Sequence, residues 1–201
     1  MPKLTEVRKS AYYITEPLVP FLTRRHVTPT TLTWIGFAIS LGAAALIATG
    51  HLFPAGFVVL VSGFFDMLDG ALARHSNQAT RFGAVLDSTL DRVSEAVLLL
   101  SILIFYLISG SQPFIGIMVA GLALIGSPLV SYVRAKAETI GLECKVGLFT
   151  RAERVIVLAV GLLASYFSYA LVIALAIIAL FSFITAGQRL YYVLKQTRKS
   201  P

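Results

Sequence analysis

Asp66-Met67-Leu68-Asp69-Gly70-Ala71-Leu72-Ala73-Arg74, followed after eight residues by Gly83-Ala84-Val85-Leu86-Asp87-Ser88-Thr89-Leu90-Asp91, is the stretch that decides how this chain is read. The first acid pair is spaced i, i+3 and the second i, i+4, so each pair shares one helix face. Both pairs lie at the ends of strongly apolar segments. A carboxylate near a bilayer core costs roughly 2.5–3.5 kcal/mol on insertion scales. Polar helix ends at a membrane surface explain one or two acids, not four with glycines and an arginine at helical spacing. Four converging carboxylates require cations to neutralise them.

Composition places those segments in a membrane. Of the 201 residues, 57% are hydrophobic and only 13% charged, with a mean hydropathy of +0.81. Soluble domains carry about 25% charged residues. Six apolar spans are expected, at 31–50, 54–73, 87–109, 114–135, 154–168 and 169–188. A helix needs about 20 residues to cross a ~30 Å hydrocarbon core. Only the fifth span falls clearly short, and its boundary with the sixth lies near Tyr166 to Tyr169. The expected fold is an all-α integral membrane bundle of six transmembrane helices plus an N-terminal amphipathic interfacial helix. Residues 1–30 form a cytoplasmic interfacial segment and 31–201 the membrane domain.

Charge placement supports an even number of crossings. Segments 51–53, 110–113 and 166–168 hold no Lys, Arg, Asp or Glu, and all seventeen basic residues fall on the opposite side. The positive-inside rule then puts both termini and the acidic cluster in the cytoplasm of a multi-pass cell-membrane protein. Leu4, Val7, Ala11, Ile14, Leu18, Phe21 and Leu22 recur at helical spacing among charged residues, broken by Pro17 and Pro20. This pattern suits a helix lying in the interface and lacks the features of a cleaved signal. The net charge of +7 is explained by orientation and by anionic headgroups, so membrane lipids are expected as partners and nucleic acid is not. Cys144 has no partner for a disulfide, and His26, His51 and His75 are dispersed, without zinc-site spacing.

An all-carboxylate set selects hard cations, Mg²⁺, Mn²⁺ or Ca²⁺, over zinc or copper. Four such groups from two helices can hold two ions, an arrangement suited to phosphoryl and phosphodiester chemistry. Gly70, Ala71, Ala73 and Gly83 keep the helix surfaces low beside the acids, leaving room for a bulky ligand. Arg74 and Arg81 lie where they can meet phosphate oxygens.

The run from Asp66 to Asp91 resembles the complete signature of the CDP-alcohol phosphatidyltransferase family, with every fixed position filled at the right spacing. The resemblance implies transfer of a phosphatidyl or archaetidyl group from CDP-diacylglycerol or CDP-archaeol to an alcohol, with release of CMP. It implies that Asp66, Asp69, Asp87 and Asp91 bind two Mg²⁺ or Mn²⁺ ions, that Asp91 is the general base, and that the protein is a homodimer. By the same resemblance Pro29, Thr30, Gly70, Ala73, Arg74, Thr80 and Gly83 bind the nucleotide end of the CDP-lipid; many relatives carry Asn where this chain has Thr30.

The segment Ser131 to Glu138 and the stretch through Arg151-Ala152-Glu153-Arg154 resemble the branch that makes phosphatidylinositol phosphate or archaetidylinositol phosphate from inositol 1-phosphate. Arg151 and Arg154 share a helix face, Arg134 approaches from the preceding span, and Arg189 matches a further arginine of that branch. These four are expected to hold the acceptor's phosphate. Thr150 replaces a Glu frequent in that branch. The alternatives are glycerol 3-phosphate as acceptor, giving phosphatidylglycerophosphate, and a non-enzymatic membrane cation transporter. An apolar groove does not distinguish ester from ether lipid tails.

Overall fold

The computed structural model describes residues 18–25, 27–75, 80–109 and 113–198. Among them are seven helices and no strand: α1 (Leu18–Arg24), α2 (Pro29–Ala48), α3 (Leu52–His75), α4 (Arg81–Ser109), α5 (Pro113–Thr139), α6 (Arg151–Leu163) and α7 (Ala170–Thr197). Helices α2, α3, α4, α5 and α7 are long and apolar enough to cross a membrane, and the protein is membrane-embedded. The expected span at 154–168 is the exception. It is the 13-residue α6, about 20 Å long at 1.5 Å per residue. It ends before the turns at 164–169, where Tyr166, Phe167 and Tyr169 are exposed.

The main helix contacts run α2 to α4, α4 to α5, α5 to α7, α7 to α6, α6 to α3 and α3 back to α2. They close a six-membered ring. Its apolar centre is filled by side chains from every member, including Ile47, Val59, Leu99, Ala123, Leu162 and Leu175. Outward-facing positions are equally apolar, as at Trp34, Phe57, Leu100, Ile115, Ile156 and Ile173. A helix apolar all round suits lipid on one side and protein on the other. Close approach comes from small residues: a Cβ at Gly161 of α6 would stand 2.4 Å from the Cβ of Ala174 on α7.

Local chemistry sets the helix ends that face the acidic segments. Thr28 caps α2 by accepting from the Thr31 N–H at 3.3 Å, with Pro29 in the first turn. Thr80 accepts from the Gly83 N–H at 2.9 Å, so α4 begins at Arg81 rather than at 87. α5 stops where Gly141 adopts φ 76°, and the Leu142 N–H bonds back to the Ala137 carbonyl at 3.0 Å. The Thr150 N–H donates to Glu153 Oε2 at 2.8 Å, starting α6. These helix extensions bring Asp66 and Asp69 inside the last turns of α3, and Asp87 and Asp91 inside the first turns of α4.

The interfacial helix expected over the first 22 residues lies largely outside the described residues, as does His26. What is described corrects one detail. Pro20 does not break the helix there, because α1 runs through it from Leu18 to Arg24. α1 packs on α3 through Val19, in a small apolar cluster with Leu68, Ala71 and Leu72. Cys144 is buried.

Candidate active site

The site is built at the corner where α2, α3 and α4 meet the start of α6. A Cβ at Gly36 of α2 would stand 3.0 Å from Asp66 Oδ1, so a bare backbone there admits the carboxylate. The Thr33 hydroxyl, one turn earlier, donates to Asp69 Oδ2 at 2.8 Å. Asp69 is buried, and Asp66, Asp87 and Asp91 are half-buried. Asp69 and Asp87 line one cavity, Asp87 and Asp91 a second, and Arg151 joins Asp66 to Asp91. The geometry therefore gathers all four sequence-expected acids into one electrostatic unit.

One cation spans that unit. Arg151 of α6 donates from Nη2 to Asp66 Oδ2 at 2.7 Å and forms an ion pair through Nη1 with Asp91 Oδ1 at 2.6 Å. Its Nε is buried without a partner. Among the described residues no three acids, imidazoles or thiols are gathered tightly enough to enclose an ion as they stand. The donor set nevertheless fits a hard divalent cation, because four carboxylates face one guanidinium and every available donor is oxygen. The mismatch in charge is what added cations would remove.

Two cavities meet at Asp87. The smaller, 190 Å³, is lined by Pro29, Thr30, Gly70, Ala73, Arg74, Thr80 and Gly83, with Asp69 and Asp87 at its floor. All seven residues expected around the nucleotide are thus brought together. Thr80 has a second task there, as the cap of α4. Arg74 lies over Gly70, whose added Cβ would come within 3.3 Å of Nη1. Arg81 lines neither cavity.

The larger cavity, 650 Å³, is lined by Asp87, Asp91, Arg134, Arg151, Arg154 and Arg189 among others. The four expected arginines therefore converge, but none of them is an unengaged cation. Arg134 pairs with Glu138 at 2.9 Å, both half-exposed. Arg154, only 2% exposed, donates to Glu95 from Nε at 2.5 Å and from Nη2 at 2.8 Å. Ser127 of α5 completes this group by donating to Glu95 Oε1 at 2.8 Å. Arg189 donates to the carbonyls of Val146 at 2.9 Å and Val130 at 2.5 Å. It pins the 140–150 loop to α5 and α7. Gly147 permits that contact, with φ 126° and space for no Cβ, since one would stand 2.6 Å from Thr185 Cγ2.

Sequence reasoning missed Glu95, Ser127, Gly36 and the hydroxyl of Thr33. Glu95 had a usable signal: it follows Asp91 by four residues, on the same helix face and inside an apolar span. A carboxylate at that depth requires a buried partner. Thr33 and Gly36 gave no such signal, because only the crossing of α2 over α3 shows what they touch.

The Glu95–Arg154 pair should support the fold measurably. Glu95→Ala leaves a buried guanidinium unpaired, which costs about 3–5 kcal/mol. Thermal unfolding in detergent is expected to show that loss, with much of it recovered in Glu95→Leu combined with Arg154→Met. An unfolding midpoint unchanged in Glu95→Ala would mean that the pair supports nothing.

Comparison with known proteins agrees with this geometry. Residues 26–186 match the CDP-alcohol phosphatidyltransferase family. An archaetidylinositol phosphate synthase of Methanothermobacter thermautotrophicus is 41% identical over 81% of this chain and 80% of its own length. A phosphatidylinositol phosphate synthase of Mycobacterium marinum is 39% identical over 90% of this chain and 79% of its own. The crystal structure of the Mycobacterium tuberculosis phosphatidylinositol phosphate synthase with CDP-DAG bound superposes with a TM-score of 0.82, at 35% identity, covering 90% of this chain and 94% of that one. The same enzyme in complex with manganese and citrate superposes equally well, with a TM-score of 0.82, 34% identity, and coverage of 90% of this chain and 88% of that one. With the signature residues at one corner of the bundle and this likeness spanning most of the chain, the protein belongs to the CDP-alcohol phosphatidyltransferase family and is a membrane enzyme of that type.

Proposed function

We propose that this enzyme transfers a phosphatidyl or archaetidyl group from a CDP-linked lipid to inositol 1-phosphate and releases CMP. The observation that carries this reading is the pair of cavities meeting at Asp87, one walled by small residues and hydroxyls, the other by arginines. A nucleotide base and a phosphorylated alcohol need those two different walls. The names of the relatives support the acceptor, and the solved complexes with CDP-DAG and with manganese support the donor and the metal. Membership of a transferase family sets aside the cation-transporter alternative.

Asp66, Asp69, Asp87 and Asp91 would hold two Mg²⁺ or Mn²⁺ ions, which supply charge neutralisation for the pyrophosphate and the departing CMP. Pro29, Thr30, Gly70, Ala73, Arg74, Thr80 and Gly83 seat the cytidine end, with Gly70 and Ala73 leaving the depth that a larger side chain would fill. Asp91 takes the proton from the acceptor hydroxyl. The freed oxygen bonds to the lipid-bearing phosphorus, and the bond from that phosphorus to the CMP oxygen breaks, so CMP leaves with the electron pair. Arg134, Arg151, Arg154 and Arg189 shape the acceptor side. Because Arg151 already binds Asp66 and Asp91, its position reports on both halves of the site.

The same reading gives six membrane passages with α6 and its following turns as the fifth, an N-terminal interfacial helix, cytoplasmic termini and active site, and a homodimer. A cysteine introduced at position 198 should be inaccessible to an impermeant thiol reagent in intact cells, and crosslinking in lipid should trap dimers. External labelling would overturn the sidedness, and monomer alone would overturn the dimer.

Asp→Asn at any of the four acids is expected to lower CMP release by orders of magnitude while the protein still inserts. EDTA should act in the same way, reversed by Mg²⁺ or Mn²⁺. Wild-type turnover in Asp91→Asn would remove its role as base.

Acceptor identity is checked by CMP release from CDP-diacylglycerol and from CDP-archaeol in nanodiscs. Inositol 1-phosphate is expected to be the efficient acceptor and free inositol a poor one. Equal use of glycerol 3-phosphate would contradict the assignment and favour a phosphatidylglycerophosphate product.

A further inference from the structure

The acceptor cavity holds a fifth arginine whose state differs from that of the other four. Arg92 follows Asp91 on α4, is half-buried, and lines the 650 Å³ space. Its Nη1 donates to the Ser88 carbonyl one turn earlier on the same helix. Among the described residues no carboxylate lies within ion-pair distance of it, whereas Arg134, Arg151 and Arg154 each hold one. Arg189 is committed to two backbone carbonyls and is only 5% exposed.

Charge across the cavity lining sharpens the contrast. Five arginines face four carboxylates, Asp87, Asp91, Glu95 and Glu138. Without Arg92 the lining is electrically balanced. A phosphate drawn to Arg134 or Arg151 has to displace an existing ion pair, and one drawn to Arg154 has to compete with the bidentate grip of Glu95. Contact with Arg92 breaks no such pair, and its bond to Ser88 leaves donors of the guanidinium fork open for a bidentate grip on phosphate oxygens.

We propose that Arg92 is a phosphate-binding residue for the acceptor and supplies the surplus positive charge that makes this cavity select a phosphorylated alcohol. The proposal rests on the acceptor reading given above and adds a residue to it. It also assigns Arg154 a different part: held by Glu95, it positions the start of α6 and hence Arg151.

The test compares Arg92→Gln and Arg92→Met, which keeps a long apolar stem, with the wild type in nanodiscs containing CDP-diacylglycerol. In both variants the KM for inositol 1-phosphate is expected to rise about ten- to hundredfold, the loss of one charge-assisted contact. The KM for the CDP-lipid and the kcat at saturating acceptor should stay near wild type. Inorganic phosphate, used as a competitive inhibitor, should lose potency in the same proportion. An unchanged acceptor KM, or an equal rise in both KM values, overturns the proposal. So does failure of both variants to fold, which would assign Arg92 to the scaffold. A wild type inactive with inositol 1-phosphate but active with glycerol 3-phosphate overturns the acceptor assignment alone, and the Arg92 comparison is then read with that acceptor.

Discussion

Charge inside a membrane bundle must be neutralised where it stands, and in this protein the neutralising groups also hold the architecture together. Arg154 meets Glu95 in a bidentate pair sealed by Ser127, tying α6 to α4 and α5. One turn earlier Arg151 reaches Asp66 and Asp91 and ties α6 to α3 and α4. In a low-dielectric interior such pairs are costly to form and more costly to break on one side. That asymmetry makes them orienting devices. α6 is short, and its two arginines add to its apolar packing in setting it in place.

The active corner follows from that placement. With α6 fixed against α3 and α4, Asp69, Asp87 and Asp91 line two cavities that share Asp87, and Arg151 ties Asp66 to Asp91 beside them. Small residues on α2 and α3 let the helices approach closely, and Gly36 admits the Asp66 carboxylate directly. On the far side, Arg189 and Gly147 hold the 140–150 loop down on the bundle, so the arginine-lined cavity has a defined wall. The smaller cavity is built from helix starts, with Thr28 and Thr80 as caps. The chemistry thus lies where helix ends, tight crossings and compensated charge coincide.

Arginines that look alike in the sequence acquire different work from their partners. Arg134 stands in a half-exposed pair with Glu138, which water screens and weakens. Arg154 is buried and fully engaged, and Arg189 serves backbone carbonyls of two segments. Arg92 donates to the Ser88 carbonyl and, among the described residues, holds no carboxylate. Counting cations near a site therefore says less about anion binding than asking which of them already hold a carboxylate.

The sequence by itself determined the class and the chemistry, and it named residues that the fold gathers at one corner. Apolar spans of membrane length and four acids at helical spacing are local properties, legible because helix periodicity and the bilayer act on neighbouring residues. The residues expected around the nucleotide end converge for the same reason: they lie on two adjacent signature segments and one helix start. What only the tertiary structure decided is pairing between distant segments. Glu95 lies 59 residues from Arg154, Thr33 lies 36 from Asp69, and Arg151 lies 85 from Asp66. Spacing along a chain carries no information about such contacts, because they depend on how helices cross. The length of α6 was also settled there: it is 13 residues long, with ion pairs at its start and close packing against α7 at its end.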